Sequence, residues 1–121
     1  MAISVKEIEY KEYGKCVEIS NGTVDVVVTV DVGPRIIRFG FIGGENELCE
    51  APGASQPIGG PVGGVWKIKG GHRLWHSPEN MPRTYIPDDN SVEWCEIDNG
   101  IKVRQKIEPW AQIEKEMEIT L

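Results

Sequence analysis

Alternation of apolar and polar residues dominates the chain and predicts β-strands. In the range Thr23–Val32 every second residue is apolar, and these residues are Val24, Val26, Val28, Val30 and Val32. The opposite face carries Asp25, Thr29 and Asp31, with Val27 as an exception. Five β-branched residues on one face of a period-two pattern favour a strand over a helix.

The same alternation recurs along most of the sequence. The predicted strands are Ile3–Tyr10, Lys15–Ser20, Thr23–Val32, Arg35–Ile42, Val92–Asp98, Ile101–Glu108 and Ile113–Leu121. Asn21-Gly22 and Asn99-Gly100 each stand between two of these strands, and Asn-Gly is a strong hairpin signal. No window has a persuasive helical period, so the chain is predicted to be an all-β, antiparallel protein.

Two polar residues interrupt the alternation. Gln105 lies on the face that Val103 shares with Ile107, and Lys115 lies on the face of Ile113. Either these faces are partly open to water, with long side chains reaching past a sheet rim, or polar groups point into a cavity.

The segment Ala51–Gly64 has a different composition, with five glycines and three prolines in fourteen residues. Glycine and proline at this density predict a surface loop folded over one end of a sheet. The segment lacks the lysine and the serine or threonine of a phosphate-binding loop, so a nucleotide site is not indicated.

Composition and charge exclude several classes of protein. The 121 residues suit one domain, or part of one. A net charge of −6 argues against nucleic acid as a partner. No apolar run approaches the ~18–20 residues that cross a bilayer, so no membrane partner is expected. Three widely spaced cysteines without a secretion signal are typical of free thiols in a reducing compartment, which predicts a cytoplasmic protein.

The segment Lys69–Pro87 concentrates the residues that could carry chemistry. It contains both histidines of the chain within five positions. Arginine forks donate to hydroxyl or carboxylate oxygens, aromatic rings stack on the C–H face of a sugar ring, and histidines transfer protons near neutral pH. The candidate catalytic residues are His72 and His76. The candidate substrate-binding residues are Arg73, Trp75, Glu79, Arg83, Tyr85 and, from the strand after Gly33-Pro34, Arg35.

Three stretches of the sequence carry a resemblance to a known superfamily. They are Gly70-Gly71-His72-Arg73-Leu74-Trp75-His76-Ser77-Pro78-Glu79 with its continuation to Tyr85, the segment Val28–Asn46, and Glu108-Pro109-Trp110. The chain resembles uncharacterised members of the galactose mutarotase-like (aldose 1-epimerase) superfamily. The resemblance implies a large antiparallel β-supersandwich with a carbohydrate site on its concave face and no metal or organic cofactor.

The resemblance also implies a chemistry and an assembly. Characterised mutarotases use a histidine as acid and a glutamate as base, and the sugar-facing role carries over to His72, Arg73 and His76. The general base of the family comes from a second half that has no counterpart here. Residues 1–121 are therefore expected to form the N-terminal half of a mutarotase-like β-sandwich. Such a unit would bind a small sugar and would require a homodimer or a C-terminal half for isomerase activity.

Two alternatives remain open at this stage. The spacing of His72, His76 and Glu79 supplies three ligand types for a metal in a small cupin-like β-barrel, although Pro78 disfavours the helix that would align them. A non-catalytic interaction module is the other alternative.

Overall fold

The computed structural model describes residues 2–59 and 62–121, and within them every regular element except one short 3₁₀ turn, Lys11–Tyr13, is a β-strand. The strands are β1 Ser4–Glu9, β2 Lys15–Ser20, β3 Val24–Thr29, β4 Ile36–Phe41, β5 Glu50–Pro57, β6 Val65–Gly70, β7 Glu93–Ile97, β8 Gly100–Glu108 and β9 Ile113–Thr120. They form a four-stranded sheet of order β1-β2-β3-β4, a pair β5-β6 and a three-stranded sheet of order β7-β8-β9. All neighbouring strands are antiparallel, which confirms the predicted fold class at this level.

The prediction of a surface loop at Ala51–Gly64 is wrong for its first half, which belongs to strand β5. The pairing of β5 with β6 is interrupted between Ala51 and Ser55, so that Pro52 and Gly53 stand outside the paired register. An irregularity of this kind accommodates a proline, which has no N–H to donate, and a glycine, which contributes no side chain. Residues 60 and 61 of the predicted loop lie outside the described residues.

The valine face of β3 packs into a hydrophobic core shared by two sheets. Its buried members are Val17, Ile19, Val26, Val28, Val30, Ile101 and Val103, from the four-stranded and the three-stranded sheets. Val27, the exception in the alternating pattern, is buried with Cys16 and Ile37 in a second cluster on the opposite face of the four-stranded sheet. Because both faces of β3 are covered, its pattern is nearly continuously apolar.

A shift of register in strand β8 explains the interrupted alternation near its end. Pairing with β9 shifts between Gln105 and Glu108, which leaves Ile107 56% exposed and turns Glu108 inward. Lys115 reaches the Glu108 carboxylate at 2.9 Å. Gln105 and Glu108 both line a cavity of about 70 Å³, so the cavity explanation applies to Gln105.

The two predicted hairpins are confirmed, with their turns placed differently. The Asn21 side chain accepts hydrogen bonds from the backbone N–H groups of Thr23 and Val24 at 2.9 Å and so closes the first turn. In the second hairpin Gly100 pairs with Ile97 as part of the ladder. A Cβ at Gly100 would collide with the carbonyl oxygen of Ile119 on the neighbouring strand β9. This glycine therefore serves strand packing rather than the turn.

Candidate functional site

Two glycines at the end of β6 and the start of the loop that follows it hold this loop against neighbouring strands. A Cβ at Gly70 would collide with the carbonyl oxygen of Cys49, and one at Gly71 with that of Ile36 on β4. The adjacent His72 exchanges two backbone hydrogen bonds with Ile36, at 2.8 and 2.9 Å. The two glycines thus let the backbone approach the chain's own strands closely, which fixes the start of the loop.

The guanidinium of Arg73 lies among three aromatic rings, which we call the aromatic box: Trp66, Trp75 and Tyr85. Its central carbon is 4.0 Å from the Trp75 ring centroid, 4.4 Å from that of Trp66 and 5.5 Å from that of Tyr85. Tyr85 meets each tryptophan edge-on, with centroids 5.7 and 5.8 Å apart. Cation–π attraction and edge-on ring contacts both favour this arrangement and hold the guanidinium among the rings.

One edge of Arg73 is fixed by the remainder of the loop. Its Nη1 donates to the carbonyl oxygen of Thr84 at 3.2 Å. Thr84 is buried, and its hydroxyl and backbone N–H both donate to the carbonyl oxygen of Asn80 at 2.9 Å. The turn from Asn80 to Thr84 therefore presents a rigid acceptor to Arg73. Among the described residues no other hydrogen-bond acceptor and no carboxylate pairs with this guanidinium, so donors remain free.

A buried ion network adjoins the aromatic box. Arg35 donates to both carboxylate oxygens of Asp88, at 3.0 and 3.2 Å, although the two residues are 53 positions apart. Its Nη1 donates to the backbone carbonyls of Ile68 and Gly70 at 2.7 and 3.1 Å. The Lys69 ammonium lies 3.0 Å from Asp88 and 2.7 Å from Asp89. Arg35, Lys69 and Asp88 are almost completely buried, and paired charges of this kind are costly to separate.

The pKa values of Asp88 and Arg73 are both lower than their ordinary values, for different reasons. Burial alone would raise the pKa of Asp88, but the charges of Arg35 and Lys69 outweigh it and hold that pKa below its ordinary value. The pKa of Arg73 is lowered by burial and by the positive charge of Arg35. Burial therefore makes the charged form of Arg73 less favourable than it is in water.

A cavity of about 300 Å³ opens beside the box, and we call it the Arg73 cavity. It is lined by Arg35, Gln56, Trp66, Ile68, Gly70, Gly71, Arg73, Trp75 and Tyr85. Four of the eight sequence-predicted site residues are thus brought together, namely Arg35, Arg73, Trp75 and Tyr85. Arg35 already makes four hydrogen bonds within the protein, whereas Arg73 makes one. Arg73 is therefore the better donor for a ligand.

The other four predicted site residues do not line the Arg73 cavity; they are His72, His76, Glu79 and Arg83. His72 is exposed, and both ring nitrogens of His76 are buried without a hydrogen-bond partner among the described residues. Glu79 accepts a hydrogen bond from the Tyr85 hydroxyl, which raises the pKa of Tyr85. The catalytic roles of the two histidines stay predictions.

Several residues of this site were not predicted as functional from the sequence. Trp66 is buried, and it forms one side of the box. Gln56 lies opposite Trp66 on strand β5. Lys69 and the pair Asp88-Asp89 flank the candidate loop. The acidic pair, close in sequence to arginines, is the local signal that could have pointed to the buried ion network.

The alternative metal site receives no geometric support. No three His, Cys, Asp or Glu side chains in the described part of the chain come together as metal ligands would, and His72, His76 and Glu79 are all in that part.

In residues 2–59 and 62–121 no helix is long and apolar enough to span a membrane.

Comparison of this chain with protein-family models, with curated proteins and with solved structures finds no match.

Proposed function

We propose that the chain binds a small sugar-like ligand in the Arg73 cavity. The observation that carries the proposal is the combination of free guanidinium donors with two partly exposed aromatic rings around an opening of about 300 Å³. The depression is wide open to solvent, so at this volume it suits contact with one face of a single sugar ring. Trp75, which is 42% exposed, supplies an apolar surface, and Gln56 adds an amide that both donates and accepts.

The architecture that we propose for the binding unit is a β-sandwich of the galactose mutarotase-like kind. The shared core of the four-stranded and three-stranded sheets supports this arrangement. Association with a second copy or with a C-terminal half, and a cytoplasmic location, remain predictions from the sequence.

Binding rather than complete anomer interconversion is the function proposed for this chain alone. His72 and His76, the candidate proton donors, lie outside the lining of the cavity. Proton transfer to a ring oxygen needs a donor within about 3 Å of it. Mutarotation of glucose or galactose, followed by polarimetry, is expected to proceed at the spontaneous rate in the presence of this chain. A protein-dependent acceleration that His72→Gln or His76→Gln abolishes would instead make it an enzyme.

Titration with monosaccharides, followed by the ¹⁵N–¹H resonances of the tryptophan indoles, tests the binding. We expect glucose, galactose or a derivative to shift the signals of Trp66 and Trp75 while Trp94 and Trp110 stay unchanged. Trp75→Ala should abolish the saturable shift of Trp66. Trp110→Ala is the matched control, because Trp110 is 48% exposed and does not line the cavity. If no sugar moves either box tryptophan at saturating concentration, the proposed function is wrong.

A further inference from the structure

Arg73 is the one cation of its cluster that lacks a counter-charge. The ion network next to it contains two cations and two anions, Arg35 and Lys69 with Asp88 and Asp89, so its formal charges cancel. Among the described residues no carboxylate lies within ion-pair distance of Arg73. The positive charge that faces the cavity is therefore the charge of Arg73.

The surroundings of Arg73 make this charge unlike an ordinary surface arginine. Arg73 is partly buried, and its guanidinium carbon lies 4.4 Å from the Trp66 ring centroid and 4.0 Å from that of Trp75, which restricts access of water to the group. A partly desolvated charge gains more from a direct ionic partner than a hydrated one does. A neutral hydroxyl would satisfy the N–H donors of Arg73 but would leave its charge without compensation.

The geometry of the free edge favours a planar anion. Thr84 accepts one hydrogen bond from Nη1, and the other N–H donors of this planar group, which all lie in its plane, are left for a ligand along its edge. A carboxylate matches such an edge with two parallel hydrogen bonds. The backbone at Gly71 and His72 offers no cradle for a phosphate, because both N–H groups already donate to carbonyl oxygens of Cys49 and Ile36.

We propose that the ligand of the Arg73 cavity is an acidic monosaccharide, such as a hexuronate, whose carboxylate pairs with the Arg73 guanidinium. This inference rests on the proposed function and narrows it from sugars in general to sugar acids. The overall charge of −6 would repel anions at long range, so the preference must come from the local site.

The test compares matched ligands by the same indole titration and by calorimetry at low salt. Glucuronate and galacturonate are expected to bind about tenfold more tightly than glucose and galactose, since a charge-assisted hydrogen bond is worth roughly twice a neutral one. Raising the ionic strength should reduce this advantage without changing the affinity for the neutral sugars.

Variants then assign the preference to one side chain. Arg73→Gln should bring hexuronate and hexose affinities to within about twofold of each other, and Arg73→Lys should retain part of the preference because it keeps the charge but loses the planar fork. Arg104→Gln is the control for net charge, since Arg104 pairs with Glu116 on the three-stranded sheet and lies outside the cavity lining. It should leave the preference intact. If a variant fails to fold, the salt dependence of the native chain still tests whether the preference is electrostatic, and a preference that salt leaves unchanged would contradict the ion pair.

The outcomes separate this inference from the proposed function. Equal affinities for glucuronate and glucose would overturn the inference and leave sugar binding standing. Tighter binding of glucose 6-phosphate than of glucuronate would overturn the assignment to a carboxylate. If acetate binds as tightly as glucuronate, the sugar ring contributes nothing to the affinity. The claim that the ligand is a sugar would then be overturned, and only a carboxylate-binding site at Arg73 would remain. No binding of any of these ligands would overturn both.

Discussion

Substitution of Glu50 by glutamine should weaken the fold in a pH-dependent manner. The Glu50 carboxylate at the start of β5 accepts hydrogen bonds from the Tyr10 hydroxyl and the Asn46 amide, both at 2.7 Å, and from the Lys11 ammonium at 2.6 Å. These contacts connect the 3₁₀ turn, the segment after β4 and strand β5. Burial alone would raise the pKa of Glu50, but the hydrogen bonds from Lys11, Tyr10 and Asn46 outweigh it and lower that pKa to about 2.

The magnitude follows from the change in pKa between the unfolded and the folded chain. A shift from 4.5 to about 2 corresponds to an upper limit of roughly 3 kcal/mol in the free energy of unfolding. Because Glu50 is only partly shielded and Lys11 is exposed, water screens the interaction, and we expect about 1–2 kcal/mol. Since the folded pKa is depressed, this contribution is complete above about pH 5 and is lost as the pH falls toward 2.

Urea unfolding followed by tryptophan fluorescence at several pH values measures this contribution. Glu50→Gln should be less stable than the native chain at pH 7, and the difference should shrink steadily between about pH 5 and pH 2.5. Glu47→Gln is the matched control, because Glu47 is exposed and its side chain makes no ion pair in the described part of the chain. A difference that stays constant over this pH range, or an equal effect of Glu47→Gln, would refute the reasoning.

Three further predictions concern stability and reactivity. Asp88→Asn should lower the free energy of unfolding by about 3–5 kcal/mol in urea titrations, because it leaves two buried cations without their shared anion. Asp89→Asn, at the more exposed end of the network, should lower it by less, and an equal loss in the two variants would contradict the assigned roles. Gly71→Ala should destabilise by about 1–3 kcal/mol, because the new Cβ meets a carbonyl oxygen of β4 and the backbone φ is 68°. Gly53→Ala is the control and should leave stability nearly unchanged, because no atom lies within 4 Å of the new Cβ. Similar melting temperatures for the two variants would disprove the close approach at Gly71. Burial raises the pKa of Cys16 to about 12, so mass spectrometry after iodoacetamide treatment at pH 8 should find the two exposed cysteines modified and Cys16 modified only in denaturant.

Local sequence determined most of the strands. Side chains alternate across a strand, so the valine spacing in β3 predicts the strand without any knowledge of the partner sheet. The hairpins were predictable for the same reason, because Asn21 closes its turn with its own neighbours. Strands β5 and β6, which pair with each other, both escaped prediction. In β5, Pro52 and Gly53 locally disfavour a strand, and only pairing with β6 on both sides of the irregularity overrides them.

The candidate site was predictable only in part. The composition of Lys69–Pro87 indicated a ligand-binding loop, and Arg73, Trp75 and Tyr85 do line one cavity. The sequence could not indicate that Trp66 from strand β6 completes the aromatic box, since nothing local distinguishes a packing tryptophan from a binding one.

The tertiary structure alone decided how the charges are distributed. Arg35 and Arg73 look equivalent as donors in the sequence, yet Asp88 neutralises Arg35 from 53 positions away and leaves Arg73 without a carboxylate among the described residues. Periodicity is written into neighbouring residues because the backbone geometry of a strand repeats every two positions. An ion pair depends on which distant segments the folded chain brings together and how far water is excluded there, so only the three-dimensional arrangement assigns the counter-ion.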